Sequence, residues 1–548
     1  MLHIKNAQIL NVFTEEFEKT ELWIENNQIV FRGPSAQLVA DETFDAHNQY
    51  IVPGMIDAHM HIESSLLRPA ELGRLLAKHG VTSAVADPHE LASVAGTAGL
   101  NYMLDDARKT PVRYFFMLPS SVPATPFERT GAVLDAASLA PFYDEPEVNG
   151  LAEVMDFPAV AQKQADMLQK IADANAHGKH ADGHASGLSR EQLAVYRQYG
   201  IKTDHEATSV QEAQERLDAG MSVLIRQGTV EADELALLPA VTPINQRAFS
   251  FATDDKSVHD LVQEGSIDEN VRLAIKAGIR PEQAFTMASY HAALAEELDN
   301  IGALTDGYLA DLVVLPEKNA VAPTQVMING AWIDEKATVA PSADFRVPLD
   351  VSLTASDLAL PIKADQPAHV IKIMPHHITT EHVEVPVPSQ GGLFSPNATF
   401  SKIAVAERYH DLGHGVGIIE GLGIKQGAIG ATVAHDSHNL ILAGHDDESM
   451  ALAAAALRDM DGGQVVVIDP DHIVTLPLPV GGLMSDQPYE TVDTENQKLQ
   501  AAFQQISDIT FDPFLTLSFM ALPVIPSLKI TDQGLFDFNQ FKFINLQD

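Results

Sequence analysis

Cysteine is absent from all 548 residues. That excludes disulfides, thiolate metal sites and thiol nucleophiles together, and it agrees with a reducing compartment. A transition metal held by this chain must therefore use His, Asp and Glu, and 22 histidines supply the imidazoles. Positive charge is also scarce: 35 Lys and Arg face 75 Asp and Glu, for a net charge of −40. So acidic a surface repels phosphate backbones and anionic lipid, so neither a nucleic-acid nor a membrane partner is expected. Long apolar runs are missing too. Nothing reaches the roughly 18 residues of a membrane span, and residues 1–10 (MLHIKNAQIL) alternate where a signal peptide would be continuously apolar. The expectation is a soluble, cytoplasmic protein. G-x-G-x-x-G, P-loop and nucleophile-elbow patterns are absent as well, which removes nucleotide-cradle and seryl-nucleophile readings.

What is present is a change of rhythm. A chain this long exceeds one core and calls for two or three domains. The first fifty residues read as short strands, with a hairpin turn at Asn26-Asn27. From residue 51 strands alternate with helices. Apolar β-type runs fall at 51–56, 81–86, 113–118, 149–154, 177–184, 201–204, 222–226 and 248–252. Amphipathic stretches separate them, such as 159–175 with Val160, Met167, Leu168 and Ile171 on one face. Eight such units predict an α/β fold with a (β/α)8 barrel at 51–299. After a last barrel helix near 281–298, strand-rich segments return. They predict a small β-sandwich domain built from both flanks, 1–50 plus 300–345. The remainder, 346–548, reads as a mixed α+β domain with a helix at 448–460. Its glycine-rich stretch GHGVGIIEGLGIKQGAIGA reads as turns.

The strongest chemical feature is His59-Met60-His61 after the apolar run VPGMIDA. Residues two apart on a strand share a side, and here that side is the carboxyl end of the first barrel strand, where such barrels place their sites. His184 closes the fifth run, His205 the sixth and Asp254 the eighth, with Asp204 and Asp255 as alternatives beside them. Five metal-competent side chains at converging strand ends point to a metal centre. Glu153 ends the fourth run, where a carboxylate can touch one ion with each oxygen; a buried glutamate paired with a cation is the plainer reading. Lysine is missing between Lys109 and Lys163, so a carbamylated lysine cannot serve on that strand. Asp87, His89 and Glu90 follow the second strand, and Ser120 and Ser121 the third. These either hydrogen-bond a substrate or cap helices. His435, Asp436 and His438 (AHDSHN) form a polar cluster that is either a structural turn or a contact with the barrel mouth.

At this point the chain resembles a known family. PGMIDAHMHIESS, DPHELASVAG, LPSSVPATPFE, GLAEVMDFP, ADGHASGL, TDHEAT and ATDD look like the adenine deaminases of the metal-dependent amidohydrolase superfamily. So do GYLADLVVL, EGLGIKQGAIGATVAHDSHN and LPLPVGGLMSD further on, and the likeness covers nearly the whole chain. The resemblance implies two divalent metal ions, manganese or iron, with zinc also suited to the ligands. It implies His59, His61 and Asp254 on one ion, His184 and His205 on the other, and Glu153 between them. The reaction it implies is hydrolytic deamination of a purine, adenine, to hypoxanthine and ammonia. Asp254 would then move the water's proton, and Glu63, or else Glu206, would protonate the ring. Glu63 reads equally as a partner that orients a ligand histidine. Substrate contacts would fall to Asp87, His89, Glu90, Ser120 and Ser121, and a homo-oligomer is expected. Two other readings remain. A cyclic amidohydrolase of the dihydroorotase or hydantoinase kind would carry the missing strand-four lysine, and a catalytically dead metal-binding scaffold would have lost a ligand.

Overall fold

The computed structural model describes residues 1–334, 336–340 and 343–547. Eight parallel strands form the barrel wall: β1 (Met55–Met60), β2 (Val81–Ala86), β3 (Arg113–Leu118), β4 (Val148–Val154), β5 (His180–Gly183), β6 (Thr203–Asp204), β7 (Ser222–Arg226) and β8 (Phe249–Ala252). Ladders run β1 to β5 and β6 to β8. Between β5 and β6 side chains take over: Thr203 donates its hydroxyl to Asp182 Oδ1 at 2.7 Å, and Asp204 accepts the Ala185 amide at 2.7 Å. The ring closes where the Asp254 amide donates to the His59 carbonyl at 3.0 Å. Asp57 reinforces that seam by accepting the Thr253 amide and hydroxyl at 3.0 and 2.5 Å.

Inside the wall, Ile56, Ala58, Val85, Met117, Ala152, Leu224 and Ala252 pack into one buried apolar layer, plugged from below by Ala292, Ala293, Leu298 and Ile301. Ile56 and Ala58 point inward, and so do His59 and His61. The parity changes because β1 slips register against β2 between Asp57 and Met60. A slip of this kind re-aims the side chains beyond it, and here it turns both imidazoles into the mouth.

The flanking sheet joins chain segments about 300 residues apart. Tyr50–Pro53 pairs antiparallel with Leu312–Leu315 on one side, and parallel with Leu2–Asn11 on the other. The apolar run at 51–56 is therefore not one barrel strand. It divides at Gly54, whose amide donates to the Asp311 carbonyl at 3.0 Å. A Cβ there would lie 2.1 Å from Thr82 Oγ1, so only glycine lets β1 begin so close to β2. The amphipathic stretch 159–175 also divides, into Phe157–Ala161 and Ala165–Ala176, with Lys163 at φ +58° between them. The turn at Asn26-Asn27 does join Glu16–Glu25 to Gln28–Arg32.

The C-terminal unit centres on an eight-stranded sheet. The glycine-rich stretch expected as turns supplies two inner strands of it, His414–Glu420 and Ala428–Ala431. Glycine serves packing there: a Cβ at Gly430 would lie 2.6 Å from Leu442 Cδ2. The helix Asp447–Asp459, capped by Asp446, covers one face through Met450, Ala453 and Leu457. A continuous apolar cluster links the barrel to this unit, running from Leu91, Val94 and Val122 to Val480, Met484 and Met520. That contact places the unit across the carboxyl ends of the strands.

Candidate active site

The strand ends bring His59, His61, Glu153, His184, His205 and Asp254 into one buried cluster. His59 Nε2 lies 3.2 Å from His61 Nε2, and Asp254 Oδ1 lies 3.7 and 3.2 Å from the two. Glu153 stands between two groups of donors. Its Oε1 is 3.5 Å from His61 Nε2, while its Oε2 is 2.6 Å from His184 Nδ1 and 3.3 Å from His205 Nε2. Overlapping groups bring donor atoms close enough for one ion, among them His59–His61–Asp254, His59–Glu153–His205, His184–His205–Glu206 and His61–Asp87–His89–Glu153.

The donor set fits divalent ions. Imidazole nitrogens and carboxylate oxygens converge under nearly complete burial. His184 Nε2 has no hydrogen-bond partner among the described residues, and His61 Nδ1 has none either, with Glu90 Oε1 3.9 Å away. Buried polar atoms are rarely left so unless something else occupies them, and N/O donors at such spacing suit manganese, iron or zinc.

Arg226, at the end of β7, carries no signal in the sequence, because one arginine after an apolar run reads as surface. It is 2 % exposed. Its Nη1 donates to Glu206 Oε1 and, at 2.9 Å, to Asp254 Oδ2; its Nε donates to Asp233 at 2.8 Å. Burial raises the Glu206 carboxyl, but Arg226 and the histidines outweigh it and hold the group below the ordinary range. Asp254 is likewise held well below it against burial, by His61, His205 and Arg226.

The other predicted residues divide. His89 lines the cavity beside Glu153, Glu206 and Asp254; its Nδ1 is 3.0 Å from Asp87 Oδ2 and its Nε2 3.4 Å from Asp436 Oδ1. Asp87 also accepts the His89 amide at 3.0 Å, opening the helix His89–Ala107. Ser120 is engaged elsewhere: its hydroxyl donates to the Glu153 carbonyl at 2.5 Å, with the Ser121 hydroxyl 3.1 Å away. Glu63 lies behind the cavity wall. It accepts the Leu91 amide at 3.0 Å, and burial with the neighbouring Glu90 pushes its carboxyl up to about 8. It is not among the side chains that line the cavity.

The C-terminal unit completes the site. His435 is buried, with Nε2 2.9 Å from Glu90 Oε1 and Nδ1 2.8 Å from the Ser518 hydroxyl. Ile378, Phe519, Leu522 and Val524 line the cavity together with Met155, giving it an apolar side. Among the two readings of AHDSHN, the geometry is that of contact with the barrel. A cavity with a cluster of polar donors at its base and a flat apolar wall suits a small aromatic ring.

Residues 50–333 match the amidohydrolase family, and residues 377–542 match the adenine deaminase C-terminal domain. The adenine deaminase of Leuconostoc citreum (strain KM20) is 61% identical over 547 residues, covering 100% of this chain and 99% of that protein. Adenine deaminase 1 of Oenococcus oeni is 58% identical over 548 residues, with the same coverage. The adenine deaminase of Lactiplantibacillus plantarum is 48% identical, covering 99% and 96%. With both parts matched and identity sustained from end to end, this chain belongs to the adenine deaminase family of the amidohydrolases.

Proposed function

We propose that the chain removes the amino group of adenine by hydrolysis, giving hypoxanthine and ammonia, with His59, His61, Glu153, His184, His205 and Asp254 holding two divalent ions, manganese or iron. The observation that carries this reading is Glu153, whose two oxygens face two separate groups of ligand atoms. When bound, such ions would lower the pKa of a water toward neutrality and so supply the nucleophile.

The chain's own residues do the rest. Asp254 takes the water's proton and returns it to the departing amino group. Arg226 fixes Asp254 through Oδ2, which leaves Oδ1 facing the histidines and keeps the carboxylate ionised. Glu206 is paired with the same guanidinium and stays a carboxylate as well, so it is poorly placed to give up a proton. The apolar wall of Met155, Ile378, Phe519, Leu522 and Val524 receives the base's faces and excludes bulk water.

The test is purification with manganese, followed by ammonia release over free bases, nucleosides and cyclic amides. Ammonia from adenine, with hypoxanthine as co-product, supports the reading. A preparation active only on a cyclic amide contradicts it.

A further inference from the structure

The reaction needs a proton at the ring nitrogen beside the attacked carbon. Glu63 does not line the cavity, and Glu206, which does, is paired with the Arg226 guanidinium. Glu231 lines the cavity with Asp254 and Arg226 and is 3% exposed. Neither of its carboxyl oxygens has a hydrogen-bond partner among the described residues. Leaving both oxygens of a buried carboxyl unpaired is costly; Glu234, three residues on, is buried in the same way but does not line the cavity, whereas Glu231 does.

The backbone shows how Glu231 is aimed. It sits on the loop after β7, in a tight turn where the Gly228 amide donates to the Glu231 carbonyl at 3.0 Å and Gln227 bridges to Ala232. The loop is pinned to the end of β8, because the Thr229 amide donates to the Asp255 carbonyl at 2.9 Å. Gly228 permits that approach: a Cβ there would lie 2.6 Å from the Asp255 carbonyl oxygen and 2.9 Å from that of Thr253. Arg226 and Asp233, joined at 2.8 Å, bracket the loop at both ends. Glu231 is thereby held over the Asp254–Asp255 corner.

We propose that Glu231 is the catalytic acid that protonates the purine ring nitrogen. The inference rests on the adenine reading above. As the water oxygen bonds to C6, the C6–N1 π pair moves onto N1 and takes the Glu231 proton, while the water's proton goes to Asp254. Asp254 then delivers its proton to the amino group, the C6–N6 bond breaks, and ammonia leaves. The remaining hydroxyl proton departs as the carbonyl forms, and solvent reprotonates Glu231. Burial without a hydrogen-bond partner favours the protonated form of the Glu231 carboxyl.

Glu231→Gln keeps the shape and lacks the transferable proton. In manganese-loaded enzyme its kcat on adenine should fall on the order of a hundredfold, with KM and metal content little changed. The alkaline fall of the wild-type kcat profile should be absent from the residual rate, and Glu231→Asp should recover part of the loss. An infrared difference spectrum of wild type minus Glu231→Gln, without substrate, should show a protonated carboxyl at neutral pH. A Gln variant within a few-fold of wild-type kcat overturns the proposal, as does a difference spectrum without that band. A wild type that releases no ammonia from adenine overturns the functional reading instead, and the infrared result still decides whether Glu231 holds a proton.

Discussion

At the scale of single residues, Asp254 is asked to face the ligand histidines and to move a proton, and substitution separates the two. Asp254→Asn keeps the outline and one oxygen but has no useful basicity. Metal content should fall only in part, while kcat falls on the order of a hundredfold or more. The acid limb of the rate profile should go with it. A carboxylate accepts protons only above its pKa, and that of Asp254 is held well below the ordinary range, so wild-type activity should fail only in distinctly acid solution and the variant should show no such fall. Two retained metals with near wild-type turnover would assign the proton to another group. Glu153 separates differently. Glu153→Gln offers one oxygen and one N–H to donor groups that both need an oxygen, so elemental analysis should fall from about two ions per chain toward one, with a large loss of rate. Two ions retained at full activity would contradict the bridging role. The clustering of His59, His61, Glu153, His184, His205 and Asp254 is legible in the sequence because a barrel gathers its strand ends. Arg226 and Glu231 are not, since a charged residue after a strand looks the same in sequence whether it faces solvent or is 2 to 3% exposed beneath another domain.

At the scale of elements, Gly54 decides where the flanking sheet stops and the barrel starts. Its Cβ position lies 2.1 Å from Thr82 Oγ1 and 2.4 Å from Thr82 Cγ2, so Gly54→Ala should cost about 1–3 kcal/mol through overpacking and lower the thermal midpoint. Adding Thr82→Ala should recover part of that loss, because the two substitutions share one contact. An unchanged midpoint for Gly54→Ala would show that β1 and β2 can separate there freely. The apolar pattern of residues 51–56 carries no mark of this division, because both halves are buried and strand-like. The same holds for the glycine-rich stretch: glycines at turns and glycines under crossing side chains, as at Gly430 against Leu442, read alike until their neighbours are known. The break of 159–175 at Lys163 is likewise a matter of tertiary packing, and its helical periodicity continues across it.

At the scale of the whole molecule, the barrel alone does not enclose the site. Glu90 and His435 stand 345 positions apart in sequence and 2.9 Å apart in space, and Phe519, Leu522 and Val524 cover the mouth. Pattern along the chain located eight strands and a third unit, but not the docking of one upon the other, because that contact is made of apolar side chains common to every core. Docking gives the C-terminal unit its part in the site: it supplies apolar side chains that line the cavity. On the proposed function, a mouth closed in this way should favour a free base over a base that carries a ribose. The most direct measurement is therefore steady-state kcat/KM of the manganese-loaded protein on adenine and on adenosine, followed as ammonia release. The account predicts turnover of adenine with adenosine slower by at least about two orders of magnitude, the discrimination that a steric or hydrogen-bonding pocket can impose. Faster turnover of adenosine than of adenine would contradict it.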